Sequence, residues 1–322
     1  MKTNTYINGA CCISTQDTFK ATELLSIKSI VSGEVLNAID PPYKEYIPPT
    51  MIRRMAKGVK MGVVATTEAL KEAGNPPLDA ILVGTGIGCL QDSEKFLKAL
   101  LDNNEQHLTP TAFIQSTHNT VAGQIALQLQ CKGLNFTYVN GAVSFESALL
   151  DAKMQMELGE LSTALVGGVD EHSPHTLYLY DLIGLPLKSE GAGFFVLSDK
   201  QTDNTYATLV DVTLRNVVEP DEWQNFVDDF LQRNSCSYSD IDLVLTGEDC
   251  KRNYQKPTIA YKSLCGEYYT ASAFGLWLTC TFLKHQHIPA TLVAGKPPKS
   301  LKNILLVNSF MGKDYSLTLI RR

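Results

Sequence analysis

Two tryptophans, six histidines and 19% charged residues leave this 322-residue chain poor in several groups that usually announce a function. No apolar run approaches the length needed to cross a bilayer. The opening MKTNTYINGACCISTQD has no apolar core of the kind a signal peptide carries. The sequence therefore predicts a cytoplasmic protein without membrane insertion. Positive charge is scarce, with 28 Lys and Arg against 34 Asp and Glu and a net charge of −6. No basic tract rises from that background, which argues against a nucleic-acid partner. The densest cationic group is Arg53, Arg54, Lys57 and Lys60, a candidate patch for an acidic partner. Eight cysteines stand at 11, 12, 89, 131, 236, 250, 265 and 280, with no CxxC pair and no zinc-like spacing. Scattered among apolar neighbours, they read as reduced, buried thiols. No metal and no cofactor is predicted.

What is present is a globular composition, 44% hydrophobic, in a chain long enough for one large or two medium domains. Apolar β-like runs alternate with helical patterns, the mark of layered α/β architecture. The first half offers strands at Thr5–Ile13, Ala80–Gly84, Phe136–Asn140, Thr163–Val169 and Gly193–Ser198. Helical spacing of Met55, Val59, Val63, Ala69 and Leu70 predicts a helix over Arg53–Ala73, stopped by Gly74-Asn75-Pro76-Pro77. The polar break DKQTDNT at 199–205 separates two halves, 1–199 and 206–322, which together form one compact unit. In the second half, strands are expected at 206–217, 241–246, 304–308 and 315–320, and helices at 222–233 and 271–285. No sequence repeat is visible between the halves.

Several segments, in order, carry a resemblance. They are Tyr6-Ile7-Asn8-Gly9, MIRRMAKGVKMGVVATTEALKEAG (51–74), ILVGTGIGCLQD (81–92), NTVAGQIALQLQCKGLNFTYVNGAVSFESA (119–148), LVGGVDE (165–171), EGAGFFVLSD (190–199), DIDLVLTGED (240–249), YKSLCGEYYTASA (261–273) and NSFMGKDYSL (308–317). Together they resemble the β-ketoacyl-acyl carrier protein synthases of the thiolase-fold superfamily, nearly end to end. The resemblance implies a thiolase fold: duplicated βαβαβαββ halves stacked as α-β-α-β-α layers. The chain is shorter than ordinary ketosynthases, mostly in its second half.

The resemblance also implies where the chemistry belongs. Such enzymes run from an Asn-x-x-x-Gly helix through a glycine turn and a buried strand to a nucleophilic cysteine. Counting without a gap from Asn119 and Gly123 through Lys132-Gly133 puts that position on Ala142, and a methyl group cannot attack a thioester. The family's first catalytic histidine falls on Thr246 in Leu245-Thr246-Gly247-Glu248. The second falls on Glu267 in Lys262-Ser263-Leu264-Cys265-Gly266-Glu267. Lys262, a structural lysine of the family, is kept. The Gly-rich loop is thinned to Phe310-Met311-Gly312-Lys313, and the threonines that would grip a phosphopantetheine arm are missing from 246–250.

Every substitute for the lost groups has a plain structural reading beside it. Ser144 reads as a helix N-cap. Cys265, beside the Glu267 carboxylate, reads as a pocket-lining thiol with raised pKa. Glu146 complements a helix dipole, and Ser144–Met156 is apolar core. His118 reads as a helix-start histidine. His172 and His175 with Asp170 and Glu171 look ligand-like, but a polar loop after a buried strand explains them as well. Gly84-Thr85-Gly86-Ile87-Gly88 is GxGxG and not the dinucleotide GxGxxG.

With the full reactive set replaced, the resemblance points to a non-condensing homologue similar to the chain-length factors that partner active ketosynthases in fatty-acid or polyketide-type, aryl polyene-like synthesis. The implied partners are an active ketosynthase in a heterodimer, or a second copy, with an acyl carrier protein besides. Pairing is expected through Phe136, Tyr138 and Asn140. Phe145, Tyr138 and Tyr268 are expected to set the depth of an acyl tunnel, and Lys262 to pair with Glu267. Lys262, Glu267, Ser144, Cys265 and Phe310 are the candidate pocket. The alternative is an atypical acyltransferase or thioester-processing enzyme on the same fold, with Glu267 as base.

Overall fold

Strands that are covered on both faces must be apolar along their whole length, and the central strands here show that pattern. AILVG at Ala80–Gly84 (β2) and GAGFFVLS at Gly191–Ser198 (β5) are buried at every residue. The computed structural model describes residues 4–21, 27, 29–30, 33–108, 110–247 and 252–322. The remaining strands are β1 (Thr5–Ile13), β3 (Leu134–Tyr138), β4 (Thr163–Asp170), β6 (Ala207–Arg215), β7 (Leu243–Thr246), β8 (Thr258–Ala260), β9 (Asn303–Phe310) and β10 (Lys313–Arg321). The helices are α1 (Pro49–Ile52), α2 (Lys57–Glu72), α3 (Leu90–Asp102), α4 (Pro110–Gln115), α5 (Thr120–Leu129), α6 (Ser144–Glu157), α7 (Pro174–Leu182), α8 (Trp223–Arg233), α9 (Lys262–Cys265) and α10 (Ser272–His285).

The strands are ordered β3-β2-β4-β5-β1-β6-β10-β9-β7-β8. Read outward from the middle, the two halves are the same: β1 answers to β6, β5 to β10, β4 to β9, β2 to β7 and β3 to β8. The pairing senses agree as well. β2 is parallel to β3 and β4, as β7 is to β8 and β9, while β5 and β10 run antiparallel to both neighbours. The halves join where Thr5–Ile7 pairs with Ala207–Leu209. A duplication absent from the letters of the sequence is therefore plain in the topology.

Helices fill three layers. α10 is buried without a break from Ser272 to Leu283, which requires cover on all sides. It packs on β1 and β5 of the first half and on β9 of the second, and α6 packs on β2, β4 and β6. These two helices form the middle layer and share one apolar core, with Phe145, Phe195, Phe274 and Leu306 among its members. α2 and α5 cover the outer face of the first half in a second core around Val63, Ile81 and Phe194. α8 covers the outer face of the second half in a third, around Trp223, Phe230 and Leu317. This is the α-β-α-β-α thiolase fold. Between β2 and β3 the chain carries α3, α4 and α5. Between β7 and β8 the described residues hold no helix, so the second half is the leaner copy.

Three differences from the sequence reading stand out beside shifts of one or two residues at other element ends. The helix expected from Arg53 begins at Lys57, because Pro49 starts a separate short helix and Arg53 ends it. The strand expected at Phe136–Asn140 is Leu134–Tyr138, so Asn140 stands outside the pairing strand and leads into the next turn. β8, three residues long, was not foreseen.

Candidate functional site

The turn after β3 places Ala142. Gly141, at φ +56°, opens a single 3-10 turn, Gly141–Val143, that runs directly into α6. A left-handed φ favours glycine there. Gly84 of β2 lies so close beneath that a Cβ on it would meet the Ser144 backbone at 2.4 Å, which fixes how tightly helix and strand pack. Ala142 is 1% exposed, and its carbonyl accepts from Asn308 Nδ2 at 3.0 Å.

Ser144 is not the N-cap. Val143 holds that place, because the 3-10 turn moves the helix start back by one residue. The Ser144 hydroxyl instead accepts from the Asn140 N–H at 2.8 Å and donates to the Gly141 carbonyl at 2.7 Å. Its proton and a lone pair are engaged in holding the turn, so it is no free nucleophile. Two residues on, Glu146 is 1% exposed and accepts from Asn308 Nδ2 at 2.8 Å and Ser316 Oγ at 2.9 Å. Burial pushes its carboxyl up, against the pull of those donors. Asn308 also accepts from Tyr261 Oη at 2.9 Å. One asparagine thereby ties the Ala142 turn, α6 and the Tyr261 segment together.

The Lys262 and Glu267 side chains meet. Lys262 Nζ lies 2.9 Å from Glu267 Oε1, with both side chains 10% exposed. The same ammonium donates to the Ser309 carbonyl at 2.7 Å, so the ion pair is an electrostatic contact beside a well-directed hydrogen bond. Cys265 is fully buried, and burial, then the nearby Glu267 charge, push its thiol well above the usual range. Thr246 ends β7 with its hydroxyl 3.2 Å from Tyr254 Oη. The Glu248 position and most of the 246–250 segment read for a carrier arm lie outside the described residues. Phe310 ends β9 and its ring packs on Tyr269 at 5.5 Å. Beyond it Met311 and Gly312, both at positive φ, make a two-residue hairpin into β10. A tight turn thus stands where the family's Gly-rich loop is expected.

Of the residues expected to shape a tunnel, Phe145 is 1% exposed and packs on Phe195, Tyr268 is buried, and Tyr138 donates to Asp151 at 2.6 Å. The GxGxG run is not a phosphate cradle. The Gly86 N–H donates to Asp170 at 2.7 Å, and a Cβ there would strike the Tyr269 ring. Asp170 and Glu171 address separate partners. Asp170 accepts from Thr85, Gly86 and Thr270, while Glu171 accepts from the Gly58 N–H at 2.6 Å and the Gln91 N–H at 2.8 Å. Burial raises the Glu171 carboxyl to about 7. Among the described residues no three His, Cys, Asp or Glu side chains gather as metal ligands.

The cationic patch is smaller than the sequence suggests. Lys57 donates to Glu190 at 2.5 Å and stands 3.3 Å from Asp40, and Lys60 lies over the Tyr43 ring. Arg53 and Arg54 remain exposed. The sequence reading overlooked Asn308, Tyr261 and Tyr269. Asn308 carried a signal, as a polar residue inside the apolar run ILLVNSF.

At position 142 itself the structure thus places a buried methyl, with the neighbouring Ser144 hydroxyl engaged in its turn. A family model described as the N-terminal domain of β-ketoacyl synthase matches residues 5–202. A stretch of 123 residues is 26% identical to 3-oxoacyl-[acyl-carrier-protein] synthase 2 of Mycobacterium leprae, covering 37% of this chain and 29% of that protein. The matched stretch therefore spans less than a third of that relative. A chain of the ishigamide ketosynthase/chain length factor superposes with a TM-score of 0.78 at 17% identity, over 100% of both chains. A chain of the complex of ketosynthase ApeO with its chain length factor ApeC, from Xenorhabdus doucetiae, gives 0.76 at 14% identity, over 99% of this chain and 98% of that one.

Proposed function

Since the chain belongs to the β-ketoacyl synthase family, we propose that it is a non-condensing member, a ketosynthase-like subunit that partners an active ketosynthase as a chain-length factor does. The setting is a fatty-acid or polyketide-type synthase, with aryl polyene-like products as the class. Ala142 carries this reading. Condensation by this family needs a thiolate at that position to take the acyl group, and a buried methyl stands there. The neighbours offer no replacement. The Ser144 hydroxyl holds its own turn, Cys265 is buried with a raised pKa, and Glu267 stands against Lys262. No observation favours the alternative of a thioester-processing enzyme.

The exposed face supports the partner. Among the described residues β3 is the end strand of the sheet, with Leu134 42%, Phe136 47% and the following Val139 42% exposed. Apolar edges of this kind are covered in stable proteins. A heterodimer with a Cys-His-His ketosynthase is the proposed cover, with a homodimer as the competing outcome and an acyl carrier protein as transient visitor.

The test is intact mass measurement after incubation with acyl-CoA or acyl-carrier protein, alone and with the co-expressed ketosynthase. The expected result is no adduct on this chain and a stoichiometric adduct on its partner. An adduct mapped to Ser144 or Cys265 overturns the reading in favour of an enzyme.

A further inference from the structure

A cavity of about 20 Å3 lies between the end of β4, α7 and the segment before α10, with His172, Tyr180, Tyr268 and Tyr269 in its wall. Three buried polar atoms of these residues have no hydrogen-bond partner among the described residues: Tyr180 Oη, Tyr268 Oη and His172 Nε2. Tyr180 is 9% exposed and Tyr268 2%. The charged atom facing His172 Nε2 is Glu190 Oε2, at 3.8 Å too far for a hydrogen bond. Asp170, also in the wall, cannot serve them, because its two oxygens already accept four bonds from Thr85, Gly86 and Thr270. Burial pushes both phenols up, so each hydroxyl keeps a proton that must be donated.

Buried polar groups are nearly always paired, with protein or with ordered water. A water needs a polar cavity of roughly 10–15 Å3 or more and two to four partners. The volume is sufficient for a water, and three open atoms lie within the bonding capacity of one. We propose that this cavity is a built site for a single structural water, taking hydrogen bonds from Tyr180 and Tyr268 and giving one to His172. The water pins α7. Tyr180 is the only residue of that helix that is buried, while Tyr178, Leu179, Leu182 and Ile183 present an apolar face that is 55–69% exposed. Glu94 binds Ser173 and Thr176 at the helix start and Lys188 pairs with Asp181 at 2.8 Å near its end; between those two ties the bridged hydroxyl fixes the rotation of that face.

The test is a crystal structure of the full chain at a resolution that shows ordered waters, with Tyr180→Phe and the double variant Tyr180→Phe/Tyr268→Phe beside it. The expected result is one peak within hydrogen-bond distance of at least two of the three atoms. It should persist in the single variant and vanish in the double one. Hydrogen exchange of the α7 amides should then rise about tenfold in the double variant. An empty cavity in the parent, or phenols turned to bond protein atoms directly, overturns the proposal. So does a peak or an unchanged α7 exchange rate in the double variant. The parent structure decides the matter even if the double variant fails to fold.

Discussion

Lys262 and Glu267 stand as a nearly buried ion pair where the family's second histidine is expected. Removing one member of such a pair leaves the other charge uncompensated, which typically costs about 3–5 kcal/mol. Glu267→Gln is therefore expected to lower unfolding stability by about 3 kcal/mol in urea titration, with Lys262→Met comparable and the double variant milder than the sum. A variant that unfolds like the parent would remove the structural role assigned to the pair. Glu171 gives a pH prediction. Its folded-state value of about 7 lies above the ordinary 4.5, so the native state holds a proton that the unfolded chain releases. Stability should then fall as pH rises from about 4.5 to 7 and level off above, the reverse of the usual carboxylate. Buried Asp170 and Glu146 are shifted the same way and add to the slope. In Glu171→Gln the thermal midpoint should be lower throughout, since two backbone N–H groups need acceptors, but flatter across that window. At this scale motif register pointed to Ala142, Lys262 and Glu267, and the expected contact between the last two is present. It hid Asn308, whose amide reaches Glu146 across 162 residues, because side-chain bonds across a fold leave no local pattern.

Elements were legible where periodicity was strong and blurred where a special turn intervened. β1 and β2 begin and end where their apolar runs do. β3 was placed two residues late, because Val139 and Asn140 continue its composition while the 3-10 turn has already begun to draw the chain away. β8 was missed since three residues carry no alternation to read. The shift in β3 changes which side chain best probes the edge. Tyr138 is half-buried and bonded to Asp151 of α6, so altering it disturbs the helix. Phe136, 47% exposed in mid-strand, reports on pairing alone. Phe136→Glu is expected to leave the melting temperature within about 2 °C of the parent and to abolish assembly by light scattering, both alone and with an active ketosynthase. Undiminished assembly would mean that another surface makes the contact.

For the whole molecule, alternation of apolar runs and helical patterns was enough for the α/β class, and the ordered motifs for the thiolase fold. The duplication was legible only through the resemblance and not as a repeat between the halves, because topology is kept by packing layers while individual residues drift. The middle layer makes the halves interdependent: α10 of the second half lies on β1 and β5 of the first. A fragment of residues 1–202 alone would expose that floor, and should be recovered folded only when residues 203–322 are co-expressed. A soluble, cooperatively melting fragment would show the first half to be autonomous. The strand order also sets two unequal ends. Among the described residues β3 offers five residues with an open flank, whereas β8 has three, the first of which, Thr258, exchanges hydrogen bonds with Ala294 on its outer side. In the pairing proposed above, one adhesive end and one blunt end would stop growth at a pair and keep the ten-stranded sheet from extending into a fibre.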